Sequence, residues 1–423
     1  MTQQIHDSAK SLKIFLIAGE SSGDVIGGKL MQALKDAAET RGYTIAFDGI
    51  GGENMAAAGL KSRFPMRELS LIGIAEILPH LPRLLRRISE TVTAIRHEQP
   101  DILITIDAPA FGLRVARRLG KSAKTLRVHY VAPQHWAWRP GRAKSLKHET
   151  DLLLALLPFE PMFFARYGVT CHYVGHPAIE AFQQSHQIHG NDKGHNFRQK
   201  YQIANDTKII LLLPGSRHSE FLRLMPQFTA TIHQLAAEWP KNTPPPMVVL
   251  PLTTASADIF KTQPHWQENL NKLPYRLLML PPDHDGDKWD GFAAASVNGA
   301  ALAASGTVTL ELALAGVPTV LAYRLSWFSF LLVKILVRVP HVGLANIIAN
   351  REIMPEFLQS RCRPDLLAAG LRPILFDAAA RKNQSDGLAY VKSALMGNKY
   401  DQTTPILRAT RKILAQWLGR KLQ

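Results

Sequence analysis

The most constraining feature of this 423-residue chain is a rhythm that runs through it twice. Short, unbroken apolar runs are each followed by a turn rich in Gly, Ser, Asp or Pro, and then by a helical pattern. In the first half the runs are 14–18 (IFLIA), 45–50, 102–106 (ILITI), 128–131 and 152–156, with a helix over 25–38. In the second half they are 209–213 (IILLL), 247–252, 275–280, 300–304 and 319–322, with Pro244-Pro245-Pro246 as a loop before one of them. A strand without polar alternation is buried on both faces, and strands separated by helices pair in parallel beneath those helices. Two such series predict an α/β chain of two Rossmann-like, doubly wound domains facing a central cleft. The expected divisions are 1–185, a polar linker at 186–204, a second domain at 205–380 and a helical segment at 381–423. The basic, amphipathic end of that segment, 404–422, is expected to pack back on the N-terminal domain. Ligands of such sheets bind beyond the carboxyl ends of the strands, so the motifs directly after the runs matter most.

Gly19-Glu20-Ser21-Ser22-Gly23-Asp24 follows the first run. Gly23 to Lys29 matches the opening of a phosphate loop, but Leu30 stands where that loop needs a hydroxyl for magnesium. An NTPase loop is therefore excluded, and no GxGxxG suggests a dinucleotide site. The turn is either a plain strand-to-helix corner or a polar lip built from Glu20, Ser21, Ser22 and Asp24. Asp107 ends the 102–106 run ahead of Ala108-Pro109. It fits either a helix N-cap or a general base for a sugar hydroxyl.

Pro214-Gly215-Ser216-Arg217 follows the first run of the second half. Turn amides beside a planar guanidinium suit a phosphate group, although a surface arginine on a loop gives the same letters. Ser305-Gly306-Thr307 opens a helix carrying Glu311. Free N–H groups at a helix start attract anions, while simple Ser/Thr capping fits equally. His176, in Gly175-His176-Pro177, either lines the cleft or is packed. No metal centre is expected: the acidic spacing of 283–287 lacks the closing Glu of a calcium loop.

Charge narrows the partners. Fifty Lys and Arg against 34 Asp and Glu give +16, which favours nucleic acid, acidic lipid headgroups or phosphorylated substrates. No nucleic-acid-binding motif accompanies the charge, so nucleic acid is not expected. Two distant cysteines, Cys171 and Cys362, make no disulfide framework and fit a reducing cytoplasm. No secretory signal is read at the N-terminus. The apolar stretch 325–339 is broken by Lys334 and Arg338 and is too short to span a membrane. Residues 70–88 are the best candidate for surface attachment. Leu71, Ile74, Leu78, Leu81, Leu85 and Ile88 recur at spacings of three and four beside Arg83, Arg86 and Arg87, with Pro79 and Pro82 splitting the stretch into two short helices. An interfacial helix and a core-facing stripe both produce this pattern. Trp327, Phe328, Phe330 and Leu331 form a second stretch with the same two readings.

Taken in order, IFLIAGESSGD (14–24), RELSLIGIAEIL (67–78), IDAP (106–109), HYVAPQHWAWR (129–139), PFEPMFF (158–164), VGHP (174–177), LLPGSR (212–217), ASGTVTLELALAGVPTV (304–320) and ANIIANREIMPEFLQ (345–359) resemble the lipid-A-disaccharide synthases. The resemblance covers about residues 14 to 375. It implies a GT-B fold and an inverting, metal-independent hexosyl transfer without a cofactor. A UDP-linked diacylglucosamine and diacylglucosamine 1-phosphate would give the lipid A disaccharide 1-phosphate plus UDP. It maps the base onto Asp107 and the phosphate-contacting arginine onto Arg217. Donor groups map onto Gly215, Ser216, Ser305, Gly306, Thr307 and Glu311, and acceptor or cleft groups onto Glu20, Ser21, Ser22, His176 and Asn346. It further implies a cytoplasmic enzyme, peripheral on the anionic inner face of the inner membrane, and a homodimer. Two places depart from the family: Ala110-Phe111-Gly112 stands where Asp-Phe-Asn is usual, and Gln134-His135 replace a Ser-Val-like pair. A transferase or epimerase acting on another UDP-GlcNAc-type donor would share the fold, but the GESSGD and WAWR runs argue against it. A basic binding protein without catalysis is the remaining alternative.

Overall fold

A computed structural model describes residues 10–69, 74–121, 124–190, 192–263, 265–282, 285–325, 339–397 and 403–421. The chain forms two compact units, Met1–Pro177 with Tyr400–Gln423 and Ala178–Lys399.

The first unit is built on a six-stranded parallel sheet of β1 (Lys10–Ala18), β2 (Tyr43–Ile50), β3 (Ile102–Ile106), β4 (Leu126–Tyr130), β5 (Leu152–Ala155) and β6 (Cys171–Tyr173). Its spatial order is β2-β1-β3-β4-β5-β6. The unbroken apolar run of β1 has the predicted consequence. Leu12, Ile14 and Leu16 pack on one face with Leu30, Met31 and Leu34 of the helix Ser21–Glu39. Phe15 and Ile17 pack on the other face with Ile88, Val92 and Phe111. The C-terminal helix Pro405–Lys421 returns to this unit, as expected. Its Ile413, Leu414 and Trp417 join the first face, and the Trp417 ring meets Tyr43 edge-on at 5.3 Å.

The second unit repeats the plan with β7 (Ile209–Leu213), β8 (Met247–Pro251), β9 (Leu277–Leu280), β10 (Gly299–Ala304), β11 (Thr319–Tyr323) and β12 (Glu356–Leu358). The order is β12-β11-β10-β7-β8-β9, again all parallel. The helix His218–Ala237 supplies Phe221, Leu224, Met225, Phe228 and Ile232 to its core.

The sequence reading is corrected in two places. The stretch with Pro79 and Pro82 is one helix, Ile74–Glu98, not two. Interior prolines cost about 3 kcal/mol each. The later half of the same helix offsets this by burying Leu84, Ile88, Val92 and Ile95 against the sheet. The supposed linker at 186–204 is no free connection. The boundary between units falls after Pro177, and helices Pro177–His189 and Lys193–Lys200 lead into the second unit. There Lys193 is buried and donates to Ser185 Oγ at 2.9 Å, and Phe182 packs against Trp289.

Candidate functional site

Strand order picks out one turn-bearing crevice in each unit. In the first sheet the chain steps outward from β1 to β2, then crosses back to β3 on the other side of β1. In the second it steps from β7 through β8 to β9 and then crosses to β10. Doubly wound sheets bind ligands at such reversals, outside the carboxyl ends. The first reversal is flanked by the turn Gly19–Ser22 and by Asp107. The second is flanked by the turns at Gly215–Arg217 and Ser305–Thr307.

At the first reversal the two turns touch. A Cβ on Gly19 would lie 2.5 Å from Ala108 Cβ, so only glycine lets the turns approach this closely. Asp107 and Ala108 both have left-handed backbones (φ 51° and 42°), a strained conformation that accumulates at functional sites. Ala108, not Asp107, occupies the N-cap of the helix Pro109–Leu119, and no side chain caps it. The capping explanation of Asp107 is thereby removed. Its carboxylate accepts from the Ala108 N–H at 2.9 Å and from Ser22 Oγ at 3.5 Å. Burial pushes this carboxyl above the usual aspartate range, only partly offset by those two bonds. A carboxylate with raised basicity and few donors is suited to accept a proton.

Glu20, Ser21 and Ser22 are exposed beside it, but Asp24 is not part of this lip. It is buried, and its oxygens accept from Gly52 N (2.7 Å), Asn54 N and Nδ2 (both 2.9 Å) and Met55 N (3.1 Å). It thus caps the short helix Glu53–Ala57 from the neighbouring helix Ser21–Glu39. Burial favours its neutral form, but the four bonds outweigh this and hold it below the ordinary aspartate range.

At the second reversal Gly215 (φ 109°) makes a turn that brings Arg217 to the N-cap of the helix His218–Ala237. The Arg217 side chain is 77% exposed and pairs with Glu220 at 3.4 Å. Tyr323, ending β11, lies within the field of Glu220, Arg217 and Arg223, and burial raises its hydroxyl pKa. Gly306 (φ 155°) faces open space. Behind it the helix Val308–Ala315 begins. Among the described residues, its first backbone-bonded amides are Thr309 to Gly306 O and Leu310 to Thr307 O. The preceding amides of Gly306, Thr307 and Val308 have no backbone acceptor there, which leaves an anion-attracting end. Simple capping is not what the hydroxyls do. Ser305 Oγ donates to Val342 O at 3.1 Å, and Thr307 makes no side-chain cap. Glu311 pairs with Lys288 at 2.7 Å, a partner the sequence did not suggest.

Other expected residues fall elsewhere. Asn346, implied as an acceptor or cleft residue, is buried. Its Oδ1 accepts from Ile353 N and Met354 N (2.8 and 2.9 Å), and its Nδ2 donates to Met354 O and Glu356 Oε1 (both 2.8 Å). That satisfies every bond an amide side chain can make. His176 is buried after the edge strand β6, and burial lowers its pKa to about 4, so it is neutral at physiological pH. Arg87 is bound to Glu68 (2.8 Å) and Glu90 (2.7 Å) and lies over the Phe64 ring, while Ile88 faces the core. The core-facing reading therefore holds for Ile88, whereas Leu85 of the same stripe is 40% exposed. Arg83 and Arg86 are exposed but paired with Glu68 and Glu90. The side chains of Leu71, Ile74, Leu78 and Leu81, and residues 327–331, lie outside the described residues.

Two of the residues at the family departures have defined surroundings. A Cβ on residue 112 would meet Thr105 Cβ at 2.8 Å, so Gly112 accompanies Thr105, which is bonded to His129 Nδ1 at 2.7 Å. His135 is kept neutral mainly by burial and secondarily by the cation of Arg142, with a pKa of about 4. One link was not foreseen: buried Glu160 accepts from Trp136 Nε1 (3.1 Å) and Leu157 N (2.9 Å), tying the loop after β5 to the loop after β4. Burial raises its pKa to about 7. Among the described residues no helix is long and apolar enough to cross a membrane, and no cluster of His, Cys, Asp and Glu could hold a metal.

The chain matches the family described as Lipid-A-disaccharide synthetase over residues 14–409. It is 45% identical over 383 residues to the lipid-A-disaccharide synthase of Rhodospirillum centenum, covering 90% of each chain. It is 43% identical to the same enzyme of Paramagnetospirillum magneticum, covering 88% of this chain and 90% of that one. Among solved structures it is similar to a UDP-GlcNAc 2-epimerase from Neisseria meningitidis (TM-score 0.57, 11% identity, 97% and 100% covered). At that identity the likeness speaks to fold alone.

Proposed function

The chain belongs to the lipid-A-disaccharide synthetase family, and from that membership we propose how its two strand reversals divide the chemistry. It is a hexosyltransferase that makes the lipid A disaccharide. In our reading the donor is UDP-2,3-diacylglucosamine and the acceptor 2,3-diacylglucosamine 1-phosphate. The second unit holds the donor, with its diphosphate over the Ser305-Gly306-Thr307 turn and within reach of Arg217. The first unit, residues 1–177, presents the acceptor.

Asp107 takes the proton from the acceptor's 6-hydroxyl. The oxygen bonds to C1 of the donor sugar from the face opposite the diphosphate. The C1–O bond to phosphate breaks, and UDP leaves with the electron pair, so C1 is inverted. Charge growing on the departing diphosphate is met by the helix-start amides and the Arg217 guanidinium. Each well-placed donor of this kind contributes roughly 3–4 kcal/mol. The observation that most supports this division is that the raised, sparsely bonded Asp107 carboxyl and the open anion-attracting turn each occupy a strand reversal.

The acylated substrates and the net charge of +16 support a further part of the reading. The enzyme works at the anionic cytoplasmic surface of the inner membrane, with exposed Arg83 and Arg86 among its contacts. Donor preference tests the assignment. UDP-2,3-diacylglucosamine should be consumed in the presence of acceptor, while UDP-GlcNAc is not. Equal use of both, or epimerisation of UDP-GlcNAc, would contradict it.

A further inference from the structure

Glu356 is a buried carboxylate on the edge strand β12, inside the 345–359 run but given no role by the sequence reading. Burying a carboxylate is costly unless donors surround it. Here they do. Oε2 accepts from Val342 N at 3.0 Å, and Oε1 from Gly343 N at 2.9 Å and Asn346 Nδ2 at 2.8 Å. Asn346 is in turn fixed by its bonds to residues 353 and 354. The carboxylate thus pins the two amides that open the helix Leu344–Ala349. The carbonyl of Val342 accepts the Ser305 hydroxyl. An unbroken chain of bonds therefore runs from Asn346 through Glu356 and Val342 to the turn with Gly306 at its open front.

We propose that Glu356 is a positioning residue for the diphosphate of the nucleotide donor, acting through Val342 on the Ser305-Gly306-Thr307 turn; this rests on the donor site proposed above. Asn346 serves the same end by orienting Glu356 and touches no substrate. Ser305 acts as the link, since its hydroxyl is held by Val342 and its backbone begins the turn. Packing reinforces the arrangement from the other side. A Cβ on Gly343 would fall 2.4 Å from Leu321 Cδ1 and 3.2 Å from Glu356 Oε1, so the pinned turn has no room to move toward β11.

The test compares three variants of the full chain by UDP titration calorimetry, donor and acceptor kinetics, and thermal melting. Glu356→Gln places an NH2 group against a donor and breaks the chain at its centre. Gly343→Ala displaces the same turn while leaving the carboxylate itself in place, which keeps the test open should Glu356→Gln fail to fold. Gln384→Ala is the comparator: Gln384 is buried and bonds Thr319 and Ile353 in the same region, but not the 342–343 turn. The first two should weaken UDP binding and raise the donor KM by roughly tenfold or more, with the acceptor KM unchanged. Gln384→Ala should lower Tm with UDP affinity retained. Wild-type affinity for UDP in folded Glu356→Gln or Gly343→Ala, or equal loss of affinity in Gln384→Ala, overturns the positioning role. Failure of the unaltered protein to bind UDP overturns the donor site itself.

Discussion

Replacing Asp107 by Asn separates chemistry from structure unusually well. The backbone at 107 is left-handed (φ 51°), a region Asn tolerates as readily as Asp. The amide oxygen can still accept from Ala108 N, now at 2.9 Å, and Ser22 retains a partner. What disappears is basicity. General-base catalysis contributes about 10²- to 10⁴-fold, or about 2.7–5.4 kcal/mol of barrier. Turnover followed by UDP release should therefore fall by that factor, while UDP affinity is retained. Stability should move the other way. Burial raises the folded-state pKa of Asp107, so its ionised form is disfavoured in the folded protein. That penalty is fully present above the folded pKa and vanishes below the unfolded one. At pH 7–8 the neutral Asn variant should therefore melt at the same temperature or higher. In the unaltered enzyme the acid limb of kcat/KM should lie above the usual aspartate range. Turnover of Asp107→Asn within a few-fold of normal would refute the base. A large drop in Tm alongside the loss would instead assign Asp107 a structural duty.

Other outcomes follow from the same geometry. Gly19→Ala should place its methyl against Ala108 and lower both stability, by about 1–3 kcal/mol, and turnover. Adding Ala108→Gly removes the opposing Cβ and should restore both, as melting and UDP release would show. Arg217→Ala should raise the donor KM by about tenfold or more with Tm unchanged, given how exposed the side chain is, and Arg217→Lys should rescue only partly because the planar fork is lost. Asp24→Ala orphans buried amides and should cost about 2–4 kcal/mol in denaturant melts. Because its folded pKa is depressed, the stability Asp24 contributes is complete above the ordinary aspartate range and lost as pH falls through the folded value. The difference between wild type and variant should shrink in acid.

Much of the fold is legible because buried parallel strands announce themselves as unbroken apolar runs: 102–106 and 209–213 coincide with β3 and β7. The edge strand β12 escapes notice for a physical reason. It is three residues long and faces its sheet on one side only, so it needs no apolar run. Turn motifs are legible as positions but not as roles. Asp24 and Asp107 both look like site carboxylates in the sequence. Only their donors tell a cap from a candidate base: Asp24 accepts from Gly52, Asn54 and Met55 at 2.7–3.1 Å, Asp107 from Ala108 at 2.9 Å and Ser22 at 3.5 Å. Asn346 and Glu356 show the same limit, since the sequence gives a motif containing both without showing that each satisfies the other.

The central claim is that the donor's diphosphate lies on the 305–307 turn while Asp107 serves the acceptor. A crystal structure of Asp107→Asn soaked with UDP tests it most directly. The diphosphate should sit within about 3 Å of the Gly306–Val308 amides, with the Arg217 guanidinium closed over it. Diphosphate density at the Gly19–Ser22 turn of the first unit, or anywhere clear of both Arg217 and Gly306, would contradict the assignment.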